Sequence, residues 1–240
     1  MPPHERAPTA SALTHLSCGE VELKGRMPWS SNATFLVEVT HEGSSMTAIY
    51  KPARGEQPLW DFPDGLFVRE AAAYLLSESL GWGIVPETIV RHDAPLGPGS
   101  LQRFVPADFS EHYFTLLGRP ERHEALKTIA SFDLLANQAD RKAGHCLLGE
   151  DGRIWAIDNG LAFHAEPHLR TVIWDFAGQP VPAQLLADVS RVVVAGVEGL
   201  SELLHPAEVS ALAHRAATLA RMGVFPDPGR SRRAYPWPLV

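Results

Sequence analysis

Two acidic motifs, Asn137-Gln138-Ala139-Asp140-Arg141-Lys142 and Ala156-Ile157-Asp158-Asn159-Gly160, flank a segment patterned as one tight β-hairpin, and no other feature constrains this chain as much. Cys146-Leu147-Leu148-Gly149 and Ile154-Trp155-Ala156-Ile157 are short apolar strands in prospect. Glu150-Asp151-Gly152-Arg153 between them is a Gly-containing turn of the hairpin kind. A hairpin folded here delivers Asp140 and Asp158 to the same open end. Such a pair suits a reaction in which one carboxylate orients a hydroxyl and the other holds a metal on a polyphosphate.

The rest of the chain sorts around that hairpin. From Glu20 to Pro106 the signals are mostly of strands: Val21 to Leu23, Ala33 to Thr40, Met46 to Lys51 after the Gly43-Ser44-Ser45 turn, Glu87 to Arg91 and Ser100 to Val105. One run of helix formers, Phe67 to Leu80, interrupts them and stops at Gly81. After Pro106 the pattern turns helical, with Pro120 opening a helix through Ala136. Ala183 to Leu204 and Ala207 to Met222 form two amphipathic helices broken at His205-Pro206. This predicts an α+β, bilobal, protein-kinase-like fold: a tail over 1–15, a β-rich N-lobe with one helix over 16–106, a helical C-lobe over 107–226, and a second tail over 227–240.

Composition removes several classes of function. The 240 residues are 45% hydrophobic and 20% charged, which is enough for a sizeable soluble core. A net charge of -7 leaves no basic footprint, so a nucleic-acid partner is disfavoured. The apolar run Val192 to Val197 is too short to span a bilayer, so integral membrane association is not expected. Two cysteines, Cys18 and Cys146, are too few for a disulfide framework, and no leader pattern opens the chain, so the default location is the cytoplasm. The 11 histidines carry no zinc-site spacing, since Pro167 separates His164 from His168 and no His-Glu-x-x-His pattern occurs.

Several residues then become candidates for a nucleotide site. Lys51 ends a strand on which alternation turns it inward, where a lysine can hold phosphate oxygens as a point charge. Glu70, 19 residues on in the single N-lobe helix, can fix that lysine; the alternative is an ordinary solvated helix face, which Arg69 beside it would serve equally well. Ser30-Ser31-Asn32, ahead of a strand, can cap phosphates with amides and hydroxyls, although such loops are commonly plain turns. Gln102-Arg103-Phe104 lies at the lobe crossing, where backbone amides meet an adenine edge. Asp158 follows the apolar run Trp155-Ala156-Ile157, and a carboxylate set that deep calls for a cation.

In this order, Ile49-Tyr50-Lys51-Pro52, Arg69-Glu70-Ala71-Ala72, Asp140-Arg141-Lys142 and Ile157-Asp158-Asn159-Gly160 resemble the phosphatidylinositol 3-/4-kinase-like superfamily, and within it an uncharacterised actinobacterial family. Phe132 through Arg141 and the Asp158-Asn159-Gly160 triplet are also similar to Fam20-type and, more loosely, HipA-type kinases. The resemblance implies an ATP-dependent phosphotransferase using Mg²⁺ or Mn²⁺. It places Lys51 on the α/β-phosphates, Glu70 as its partner, Asp140 as the catalytic-loop aspartate and Asp158 as the metal ligand. It also exposes two departures: Lys142 stands where the family has His, and His145 stands where a metal-binding Asn is usual. Imidazole is a poor ligand for Mg²⁺, so His145 favours Mn²⁺, a single metal or impaired transfer. No basic loop follows Asp158 to hold an inositol phosphate, which leaves a protein or a small hydrophilic molecule as phosphoacceptor. A nucleotide-binding pseudokinase and an AMP transferase on the same fold are the alternatives.

Overall fold

Strand alternation between Val21 and Arg103 becomes a five-stranded antiparallel sheet in a computed structural model that describes residues 9–28, 32–229 and 232–240. The chain divides into two compact units, one comprising residues up to Ala71 with Pro86–Val105, the other Ala72–Val85 with Pro106–Val240.

In the first unit, β1 (Glu20–Arg26), β2 (Phe35–His41), β3 (Ser44–Pro52), β4 (Thr88–Arg91) and β5 (Gly99–Arg103) lie in the order β1-β2-β3-β5-β4. Val37, Val39, Ala48, Tyr50 and Leu101 point to one face and pack with Leu16. Leu16 belongs to a helix, α1 (Thr9–Cys18), whose first seven residues fall in the stretch 1–15 expected to be a loose tail. Burial of that one leucine, together with Arg91, which donates to the carbonyls of Leu16 and Gly19 at 2.8 and 2.9 Å, holds the segment in place. Lys51, next to Tyr50 in β3, faces the opposite side by the two-residue period. Gly99 opposes Pro52, and a β-carbon there would lie 2.5 Å from the Lys51 carbonyl oxygen, so the approach of β5 to β3 admits only glycine. Helix α2 (Leu66–Leu80) starts under an external cap: the Glu56 carboxylate accepts the amides of Gly65, Leu66 and Phe67 at 3.1, 3.0 and 2.7 Å.

The second unit contains the hairpin, β7 (Cys146–Gly149) with β8 (Ile154–Ala156), extended by a two-residue strand β6 (Ala107–Asp108) that the sequence reading did not include. The short helix α3 (Tyr113–Leu117) was likewise not expected. A 3-10 turn at Pro120–Arg122 leads into α4 (His123–Ala136). The expected helix from Ala183 to Leu204 is two helices, α5 (Ala183–Ala195) and α6 (Leu200–Leu203). Gly196 and Gly199, at φ 76° and 75°, turn the chain between them through backbone that favours glycine. Helix α7 (Pro206–Met222) opens where His205-Pro206 predicts, with Glu208 closing a capping box onto the His205 amide at 2.9 Å. Arg191 of α5 donates to the carbonyls of Ser79 and Leu80 at 2.7 and 3.0 Å, satisfying the last turn of α2.

The segment from Asp227 onward, expected to be a free tail, is tied down. The Ala234 carbonyl accepts from the Thr171 amide and the Trp174 indole, each at 3.1 Å, and the Leu239 carbonyl accepts from Ala143 at 2.8 Å. Among the described residues no helix is long and apolar enough to cross a membrane. Leu16→Ala removes a fully buried side chain and should lower unfolding stability by ~2–5 kcal/mol, read as a lower urea midpoint with unchanged slope.

Candidate active site

Helix α4 ends at Asn137, a left-handed residue at φ 54° whose amide returns to the Asp133 carbonyl. Its carboxamide donates to the carbonyls of His164 and Glu166 at 2.9 and 2.7 Å and accepts the His168 amide at 3.0 Å, fixing the start of the loop. The loop is then stitched to the segment beyond the hairpin by Arg141, which is fully buried. Its Nε donates to both Asp133 oxygens at 3.0 and 3.2 Å, one terminal nitrogen to the Ile157 carbonyl at 2.5 Å, and the other to Asn159 Oδ1 at 2.6 Å. Thr171 adds a hydroxyl to Asp133 at 3.0 Å, and Gln138 bridges to Asn159 Oδ1 at 3.2 Å. Burial pushes the Asp133 carboxyl up, with Arg141 and Thr171 pulling against it; burial also works against the Arg141 charge, which Asp133 nevertheless sustains.

Asp140 and Asp158 emerge from this frame. Asp140 is three-quarters covered and pairs with Lys142 Nζ at 3.0 Å. Burial raises its carboxyl above the ordinary aspartate range, against the pull of that lysine. Asp158 has a half-exposed side chain, 51%, on a left-handed backbone at φ 58°. His145 connects the two. Its Nδ1 is 3.0 Å from the Asp140 carbonyl oxygen, an acceptor, which assigns the ring proton to Nδ1 over the longer 3.4 Å contact from the Lys142 amide. Nε2 lies 3.3 Å from Asp158 Oδ2. A ring proton on Nε2 or a metal ion between the two groups satisfies that contact.

Lys51 and Glu70 are joined in the first unit, where Nζ of the lysine bonds Oε1 of the nearly buried Glu70. Arg69, expected on an ordinary solvated helix face, is instead buried and turns to the Gly65 carbonyl at 3.1 Å and the ring of Phe62. Ser30 and Ser31 lie outside the described residues; Asn32 accepts the Gln57 amide at 3.1 Å. Gln102 donates to the Thr88 hydroxyl at 2.8 Å, and Arg103 pairs with Glu87 at 2.5 Å. The amides of Arg103 and Phe104 donate to the carbonyls of Glu87 and Thr47 at 2.8 and 3.1 Å, so both are engaged within the sheet.

Among the described residues no three His, Cys, Asp or Glu side chains gather as a metal cluster. A divalent ion at Asp158 and His145 would therefore have two protein donors and take its other ligands from polyphosphate and water, the usual habit of Mg²⁺ and of Mn²⁺ in nucleotide sites. Sequence reasoning missed Asp133, Gln138 and Asn159 as the groups that position the acids. Asp133 had a signal, being a lone carboxylate on the apolar face of α4.

The architecture has solved counterparts. Hydra Fam20 with sugar has a TM-score of 0.59 and 12% identity, over 89% of this chain and 87% of that one. The Helicobacter pylori proinflammatory kinase CtkA has a TM-score of 0.53 and 12% identity, over 88% and 94%. The Golgi casein kinase with Mn/ADP bound has a TM-score of 0.53 and 14% identity, over 97% and 80%. The fold is thus protein-kinase-like. No protein-family model matches the chain. Protein Rv2133c of Mycobacterium tuberculosis is 40% identical over 93% of each chain, and this chain belongs to the family of that protein.

Arg141→Met should leave Asp133 as an unpaired buried charge and cost ~3–5 kcal/mol of stability. Chemical denaturation of Arg141→Met and of Arg141→Met with Asp133→Leu checks this: the double variant should recover part of the loss, because it removes both charges.

Proposed function

We propose that this protein is an ATP-dependent phosphotransferase that moves the γ-phosphate to a protein hydroxyl or to a small hydrophilic molecule. The observation that carries the reading is the array in which His145 joins a covered, lysine-paired Asp140 to a half-exposed Asp158. The kinase-like fold supports it, as does Mn/ADP in one structural counterpart. Placement in the phosphatidylinositol 3-/4-kinase-like superfamily rests on the order of the four sequence motifs, and the HipA likeness on motifs alone.

In this reading Lys51, steadied by Glu70, holds phosphate oxygens as a point charge. Asp140 orients the acceptor hydroxyl and takes its proton as the oxygen bonds the γ-phosphorus and the bond to the bridging oxygen of ADP breaks. Its raised carboxyl suits it to that proton. Lys142 keeps Asp140 in place and brings positive charge to the loop. Asp158 and His145 would hold a divalent ion, which when bound would supply charge neutralisation on the polyphosphate. The side chains of Asn32, Gln102 and Arg103 and the amides of Arg103 and Phe104 are engaged elsewhere, so these residues contribute to the nucleotide site only through its shape.

One observation favours a second reading, a nucleotide-binding pseudokinase. Lys142 lies 3.0 Å from Asp140, close enough to mask the carboxylate on which transfer depends. ATP labelled at the γ- and, separately, the α-position separates the readings: γ-label on a product supports the kinase, α-label means AMP transfer, and binding without label means pseudokinase.

Asp158→Asn should abolish metal-dependent ATP binding, measured by calorimetry and by the loss of thermal stabilisation. Asp140→Asn should keep binding and lose turnover by ~10²–10⁴-fold, the range for a removed general base. Equal loss of binding in both folded variants would refute the division of roles.

His145→Asn replaces a nitrogen donor with a carboxamide oxygen and should shift metal preference from Mn²⁺ toward Mg²⁺ in ATP binding or turnover. An unchanged preference would remove His145 from the metal site.

A further inference from the structure

Residues 232–240, which begin with a 3-10 turn at Arg232–Ala234, lie against the loop that carries Asp140. They are held there through main-chain carbonyls. The Thr171 amide and the Trp174 indole both donate to the Ala234 carbonyl at 3.1 Å, and the Ala143 amide donates to the Leu239 carbonyl at 2.8 Å. Two of these donors belong to the frame of the candidate active site. Ala143 follows Lys142, the partner of Asp140. Thr171 forms a parallel bridge with Arg141, and its hydroxyl donates to Asp133 while its amide serves the segment.

Side chains do little to hold this segment. From Arg233 to Val240 only Pro236 is buried, and Tyr235, Trp237 and Val240 are 40%, 87% and 61% exposed. A terminal segment that belongs to the core buries its large apolar groups; this one leaves them in water and is held by its main chain. Extended peptides bind proteins in that way, main-chain bonds supplying affinity and a pocketed side chain supplying selectivity. A segment with so little buried apolar surface also opens readily.

We propose that the face formed by Ala143, Thr171 and Trp174 is a docking site for an extended, proline-containing peptide, and that residues 232–240 occupy it in cis as a displaceable strap. The donors on this face meet main-chain carbonyls, which every peptide carries, and the buried place of Pro236 selects proline. That the docked peptide is the phosphoacceptor rests on the phosphotransferase reading: a peptide seated here passes the Asp140 loop, which favours a protein hydroxyl over a small molecule. A strap tethered to its own site competes at an effective concentration on the order of millimolar, so a peptide in trans gains access as the strap is loosened.

A fluorescent peptide with the sequence of residues 232–240 is titrated, without nucleotide, into the full chain and into full-length Pro236→Asp, in which a buried charge ejects the strap. The variant should bind the peptide saturably and at least about tenfold more tightly than the unmodified protein, whose own strap competes. The same peptide carrying P236D should bind neither protein. No saturable binding to the folded variant, equal affinity for both proteins, or equal binding of the P236D peptide would overturn the proposal. If Pro236→Asp does not fold, hydrogen exchange on the unmodified protein decides: the Ala143 and Thr171 amides should exchange about 100-fold or more faster than the Ile129 amide of α4, and equal protection would overturn a displaceable strap. Labelled ATP is added last, with the Tyr235→Ser peptide as acceptor. Peptide that binds without receiving γ-label counts against the phosphotransferase reading and supports the docking site by itself.

Discussion

The buried Arg141–Asp133 pair is the interaction on which the rest of the candidate active site depends. A charge pair sealed from water persists only when nearly every donor and acceptor is used, and here the guanidinium fork reaches the carboxylate, the Ile157 carbonyl and the Asn159 carboxamide. Ile157 and Asn159 are the two neighbours of Asp158, and Arg141 is itself the neighbour of Asp140. One side chain therefore sets the position of both acids from the chain on either side of them. Lysine cannot substitute for it, because a single ammonium lacks the planar spread of donors the arrangement uses.

The first unit reaches order by a different route. Its sheet is built on the two-residue period, with one face closed by Leu16 and the other carrying Lys51. The charges there act at helix α2: Glu56 satisfies its orphan amides from outside, and Glu70, a turn later, receives the lysine. A carboxylate at a helix start is favoured by the macrodipole as well as by its hydrogen bonds, so the cap also steadies the helix that presents Glu70.

Much of this was legible in the sequence because it is periodic or punctuated. The strands alternate, α2 is a run of helix formers ended by Gly81, and the hairpin has its turn. The link between Lys51 and Glu70 was readable as a strand end followed by a helix carboxylate. What escaped has no local pattern. Helix α1 sits in a proline-bearing stretch and is held by one leucine and one distant arginine; β6 and α3 are too short to show a period. The segment after Asp227 is bound through carbonyls, which residue types do not display. Asp133 interrupts an apolar helix face, and only the folded chain puts Arg141 opposite it.

Asp158 has φ of 58°, and this backbone restricts what can occupy the position. Side chains with bulk at the β-carbon incur about 1–2 kcal/mol in that region, while glycine, asparagine and aspartate enter it readily. Glutamate would offer the same carboxylate on a longer arm and enters this region less readily than aspartate, although Glu42 adopts it at φ 49°. Among the residues this backbone favours, aspartate is the acid: a change to asparagine is a conformationally silent step, so a lineage could lose the carboxylate while keeping the backbone turn intact.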